Sequence, residues 1–447
     1  MSKAFKAPRP SFFLMWLLGF VNRWVLLTGL PLLRRIPVIR DLPLVRGYFW
    51  LREIDLPAAD EARLRRAVNP GTAAFIGPNH PEFGFDWMMD KELSTRVAPR
   101  MASWAAHQIV ATAPGFWLRN NLISHNGGQA AVNHSVDWAL RGNGVLLHPE
   151  GSVHWTAGTI HPLFKGIAEM ACAAARRAGV NGRPVYIVPV VWRLEYVGDV
   201  GPALHREMAY IERSLGLPES EEVDAGARLQ SLQTRILNRR MLHFGFDARQ
   251  HAGCDFFTRQ DAFRSWLMTG LLERYPVDVA DSDERTLTRV ERAVHDALRL
   301  AETDEDRAAR RHDHAIVHEA MRLCGFSREA YGETPLTQEQ IGESLKRIRA
   351  TLLRHGLRNV IHNFVPTPFG PRVARVRVPE PILVDPARAV QDDGYAAELL
   401  ARLRLAMQAA IDGCGIHEQQ LRAASERQER ENKPMQVSGS HSLAPVS

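Results

Sequence analysis

The chain has 447 residues, of which 24% are charged and 45% hydrophobic, an ordinary balance for a folded protein long enough for more than one domain. A mean hydropathy of -0.22 argues against a polytopic membrane protein. The formal net charge of +6 fits an anionic surface or a phosphate-bearing substrate, but the basic residues are scattered among acids, which argues against a nucleic-acid partner.

Residues 12–33 are apolar apart from Asn22, Arg23 and Thr28, with Lys3, Lys6 and Arg9 before them and Arg34 and Arg35 after. That length would cross a bilayer, but Arg23 would lie near its centre at a cost of roughly 2.5 to 3.5 kcal/mol or more. Two short apolar helices lying in the interface avoid the cost, with Trp16 and Trp24 as anchors. Residues 1–50 are therefore expected to be a membrane-associating segment on the cytoplasmic face. A spanning helix and an arm docked on the protein's own core are the alternatives.

From 51 to 202 strand and helix patterns alternate. Ala73 to Ile76 is a short buried strand. Helices are expected from Phe85 through Leu93, near Ala102 to Val110, over Val132 to Arg141 and over Ile167 to Ala178. Val145 to Leu147 and Val185 to Val191 are strands. The order predicts an α/β domain with a mainly parallel sheet, whose ligand crevice lies beyond the carboxyl ends of the strands. Residues 203–370 read as a helical insertion or accessory region, with Leu287, Val290, Val294 and Leu298 at helical spacing after the capping stretch Asp281 to Glu284. Residues 371–417 bring a returning strand, Val373 to Val384, and a helix, Tyr395 to Ile411, stopped at Gly413. Residues 418–447 read as a disordered tail.

Chemistry concentrates in three blocks. His80 follows the first buried strand, with Asp86 beyond five intervening residues and able to fold back and orient it as a general base. Arg119 comes next, after Pro114 to Trp117. The third block is His148-Pro149-Glu150-Gly151-Ser152, followed by Lys165 and by Pro189 in a strongly β-branched strand. In this order the blocks resemble the PlsC-type glycerolipid acyltransferases, which include the 1-acylglycerol-3-phosphate acyltransferases. The resemblance spans about residues 70 to 192, with Val373 to Val384 similar to a late strand of that family.

The resemblance implies an α/β acyltransferase fold with His80 as general base and Asp86 as its orienting partner. It implies Arg119 as a phosphate ligand, Glu150, Gly151 and Ser152 at the acceptor site, and Pro189 beside the acyl site. The donor would be acyl-CoA or acyl-carrier protein, with membrane lipids as partners and neither metal nor cofactor. The chain departs from the pattern in its five-residue rather than four-residue spacing, in Ser152 for threonine, and in lacking the following arginine, whose phosphate contact is expected either to be lost or to move to Lys165. A silent lipid-binding scaffold on the same fold and a hydrolase using His80 are the other readings.

Other histidines carry less. His314 and His318 lie four apart on a predicted helix and could share a metal, but no third ligand stands at a useful spacing, and a solvated helix face is expected. His125, His134, His154 and His161 read as surface residues. Cys172, Cys254, Cys324 and Cys414 form no Cys-x-x-Cys pair and read as free thiols in a reducing compartment. Gly142-Asn143-Gly144 is not a dinucleotide-binding loop, and no Gly-x-Ser-x-Gly elbow stands in a folded context.

Overall fold

A computed structural model describes residues 5–431 apart from Pro31, Asp41, Phe83, Ala98, Pro99, Ala157, Asp281, Glu333, Thr334, Arg354 and Val365, with the backbone alone for Leu44, Gly127, Asn363, Phe364 and 415–431. One eight-stranded sheet organises the α/β part. Its strands are β1 (Leu51–Asp55), β2 (Ala73–Pro78), β3 (Ala102–Ala105), β4 (Leu122–Ser124), β5 (Gly144–Leu146), β6 (Val185–Tyr196), β7 (Arg372–Arg377) and β8 (Ile382–Leu383). They lie in the order β1-β7-β6-β2-β5-β3-β4, with β8 also on β6. The sheet is mixed: β2 is parallel to both β5 and β6, whereas β7 and β8 run antiparallel to β6.

β2 sits centrally because every residue in it is buried. Its side chains alternate between two cores, Ala73 and Phe75 joining one and Ala74 and Ile76 the other, as the two-residue period of a strand requires. Pro189 is tolerated inside β6 because of where that strand changes neighbours. β8 pairs with β6 through Tyr186 and Ile187, β7 from Val191 onward, so the missing amide falls between the two.

Several expectations change. Ala102–Ala105 is a strand, and the helix begins only at His107, because Ala102 and Ser103 pair with β5 and Ser103 to Ala105 with β4. The returning region is two strands, broken by Pro379 and Pro381. The last helix runs from Tyr395 to Glu431 without stopping at Gly413, so the tail expected from residue 418 is helical to that point; residues 432–447 lie outside those described. Between β6 and β7 the chain is helical, from Gly201 to Phe364, with two apolar clusters of its own.

At the amino end, Phe12–Val21 is an α-helix continued by a π-helical turn over Asn22–Leu27. One side docks on the helix Phe85–Val97: Asn22 donates to the Met88 carbonyl at 2.8 Å and Arg23 pairs with Glu92 at 3.2 Å. The other side leaves Phe12, Phe13, Trp16, Leu17 and Phe20 exposed. Among the described residues no helix is long and apolar enough to cross a membrane.

Candidate active site

The site forms where β2 and β5 end. Asn79, just past β2, extends the ladder with its side chain: Nδ2 donates to the Trp192 carbonyl and Oδ1 accepts from the Trp192 amide, both at 2.9 Å. His80 therefore leaves the sheet from a fixed point. The following turn closes through Gly84 at φ 78°, a left-handed conformation that glycine adopts without a Cβ penalty. Asp86 enters the first turn of the helix Phe85–Val97 facing back toward β2.

That turn absorbs the extra residue in the His-to-Asp spacing, which in a continuous helix would rotate the carboxylate away by about 100°. His80 Nδ1 lies 2.7 Å from Asp86 Oδ2. The same oxygen accepts from the Glu82 amide at 2.9 Å, and Oδ1 accepts from Trp192 Nε1 at 2.9 Å. Burial raises the Asp86 carboxyl well above its usual range, opposed by the His148 charge and by the Trp192 and Glu82 hydrogen bonds. Its oxygens meet only N–H donors, an arrangement that suits the ionised form. His80 is held well below the ordinary imidazole range, by burial first and then by His148 and His154. Its ring is neutral near pH 7, with Nδ1–H on Asp86. Among the described residues nothing engages Nε2, and the side chain keeps 19% exposure.

A second His–Asp pair lies against the first. His148 follows β5, as His80 follows β2, and the two rings stack with centroids 4.1 Å apart. His148 Nδ1 is 2.9 Å from the Asn79 carbonyl and Nε2 is 3.0 Å from Asp90 Oδ2. Both neighbours are acceptors, so both ring nitrogens carry protons and His148 is an imidazolium. Burial works against that charge, but the charge and hydrogen bond of Asp90, then Asp86 and the Asn79 carbonyl, raise its pKa to about 9.

Glu150 shapes the floor. Its Oε1 accepts from the His80 amide at 2.8 Å and its Oε2 from the His161 amide at 3.1 Å, so it ties two loops together from a buried position. Burial, the largest influence, raises its pKa to about 7. Gly151 has φ 77°, and a Cβ there would meet Phe164 Cε2 at 2.6 Å, so the loop requires glycine. Ser152 is exposed, with Oγ 3.4 Å from His154 Nε2. His154 and His161 are not surface residues. Their side chains are 9% and 13% exposed, and they stack at 3.7 Å beneath Arg347, which donates to the His154 carbonyl.

No protein-family model and no curated protein matches this chain. The site therefore stands on its geometry. Two expected residues are not brought to the His80 cluster. Arg119 is exposed and meets the amino-terminal arm through its carbonyl, which accepts from Ser11 at 2.8 Å. Among the described residues no hydrogen bond or ion pair joins its guanidinium to His80, Asp86 or Glu150. Lys165 is 78% exposed and pairs with Glu169 at 2.8 Å, one turn along its own helix. Pro189 lies opposite Gly77 in the β2–β6 ladder, under the site rather than in it.

Sequence reasoning missed His148, Asp90, Trp192 and the buried cluster around Glu82. Glu82 takes Lys346 at 2.6 Å from the helix Gln338–Leu352 and Arg372 at 2.8 Å from β7. This anchors the His80–Asp86 turn to residues more than 260 positions away. The legible signal was Asp86 and Asp90 spaced four apart, which places both on one helix face.

Proposed function

We propose that the protein is an O-acyltransferase that moves an acyl group from a CoA or carrier-protein thioester to a hydroxyl of a lysophospholipid or related glycerolipid. The observation that carries this reading is the 2.7 Å contact of His80 Nδ1 with Asp86, which leaves Nε2 as a lone pair within reach of a substrate proton. A histidine held this way is a general base. Among the described residues no hydrogen bond joins a serine hydroxyl or a cysteine thiol to the His80 ring, and in this reading the attacking oxygen belongs to the substrate.

In the proposed step, His80 Nε2 takes the acceptor hydroxyl proton as that oxygen bonds to the thioester carbonyl carbon. The carbon–sulfur bond breaks, and His80 returns the proton to the departing thiolate. Asp86 fixes the tautomer and stabilises the transient imidazolium. The His148 cation opposes a second positive charge next to it, which keeps His80 unprotonated at rest and favours prompt return of the proton. The PlsC-like resemblance of these blocks supports the same reaction class. The exposed apolar face of Phe12–Phe20 supports operation at a membrane surface, with the docked face holding that anchor against the helix that carries Asp86.

A labelled acyl thioester offered with a panel of lysolipids tests the reading. Labelled ester as the main product is the expected result. Free fatty acid alone would identify a hydrolase, and no turnover with any acceptor would leave a lipid-binding scaffold.

A further inference from the structure

The pair His314 and His318 acquires a third ligand in three dimensions. Both stand on the helix Asp304–Cys324, four residues apart and hence on one face. Their rings meet edge to face, centroids 4.3 Å apart and planes at 81°. The preceding helix, Asp283–Leu300, packs alongside through the apolar cluster of Leu287, Val290 and Val294 with Val317, Ala320 and Leu323. Residues 301–303 connect the two, so the helices run antiparallel. Glu291 on that helix brings Oε1 to 4.0 Å from His318 Nε2. One ligand atom from each of Glu291, His314 and His318 lies within 4.8 Å of the other two.

We propose that Glu291, His314 and His318 form a divalent transition-metal site that clamps this helix pair. Two imidazole nitrogens and one carboxylate are a zinc-type donor set; they leave a fourth position for water, and hard cations such as magnesium and calcium prefer all-oxygen ligands. Ligand atoms about 2.0 to 2.2 Å from a tetrahedral ion are separated by roughly 3.4 Å. The observed spacing is wider than that, and His318 and Glu291, at 33% and 36% exposure, have room on the solvent side for the side-chain rotation that would close it.

A second cluster, His154, His161 and Glu284, is equally compact but fits a metal less well. Its rings are parallel to within 7°, so their in-plane lone pairs run side by side instead of converging, and the positive charges of Arg347 and Arg404 act on it. The clamp has a consequence for the active site all the same. The first turn of Asp283–Leu300 carries Glu284, next to His154 and His161, and Arg285, which donates to the Leu163 carbonyl. Bracing this helix therefore braces the loop behind His80.

The test uses full-length protein without a histidine tag, stripped with EDTA and titrated with zinc, with cobalt(II) as a spectroscopic probe. We expect one tightly held ion per chain, a visible cobalt absorption band and a higher melting temperature with zinc. Glu291→Gln, His314→Asn and His318→Asn should each weaken zinc binding by about tenfold or more while melting like wild type in EDTA. Absence of saturable binding would overturn the proposal. So would binding that survives Glu291→Gln unchanged, since a bare histidine pair would then suffice, or binding lost on His161→Ala and kept in the other three variants.

Discussion

The His148 ring lies on the His80 ring, planes inclined by 16°, and the two histidines draw their partners from one turn of a single helix, Asp86 for His80 and Asp90 for His148. Two adjacent parallel strands deliver the rings and one helix face delivers both carboxylates. The pairs differ in exposure of the outer nitrogen. His148 has both nitrogens engaged and contributes charge; His80 has one engaged and contributes a lone pair.

His148→Gln removes the stacked cation. His80 is held below its ordinary pKa by burial first and then by that charge, so the acid limb of kcat/KM should move to higher pH. A pH–rate profile reads this directly. An acid limb that stays in place would show that His148 does not act on the base.

The same ring ties stability to pH. Its folded-state pKa of about 9 exceeds the ordinary imidazole value of 6.5, so the bound proton stabilises the fold fully below pH 6.5, and that contribution is lost as pH rises through 9. The shift corresponds to on the order of 3 kcal/mol. Asp90→Asn removes the main group holding the proton. Urea unfolding across this pH window should show a shallower decline in the variant than in wild type; parallel curves would contradict the imidazolium assignment.

Glu82→Gln leaves Lys346 and Arg372 buried together without their anion. Breaking a buried pair in this way costs about 3 to 5 kcal/mol, which denaturant unfolding would register. Replacing Lys346 with methionine in the same chain should recover part of the loss. A change under about 1 kcal/mol would mean that the cluster is not what anchors the turn.

Phe13→Ser with Trp16→Ser strips the exposed side of the amino-terminal helix, where these residues are 66% and 60% exposed, and leaves the docked Met15, Gly19 and Asn22 intact. Binding to anionic vesicles, measured by co-sedimentation, should fall at least about tenfold while melting stays unchanged. Equal binding would remove this helix as the anchor.

The strands carrying the site could be read from sequence because β2, β5 and β6 are short apolar runs between turn residues, a pattern that holds when both faces of a sheet are covered. The strand Ala102–Ala105 could not, since Ser103 and Trp104 in a polar-apolar mixture match either period, and only pairing with β5 and β4 decides the matter. The contact between His80 and Asp86 hinged on a turn through Gly84, whose left-handed conformation is permitted but not specified by its identity. His148 read as part of a Pro-Glu-Gly block. Its role depends on a ring stack and on Asp90, 58 residues away, and no local pattern encodes either. Arg119 and Lys165 stand in the expected order along the chain, and the fold leaves both exposed, with Lys165 paired to Glu169 on its own helix.

The most direct measurement is kcat/KM for acyl transfer from a long-chain acyl thioester to a lysophospholipid, wild type against His80→Ala. We expect ester formation by the wild type and a loss of roughly 10²- to 10⁴-fold in the variant, the contribution of a positioned general base, with circular dichroism and melting unchanged. Transfer at the wild-type rate by His80→Ala would contradict the assignment of His80 as the base.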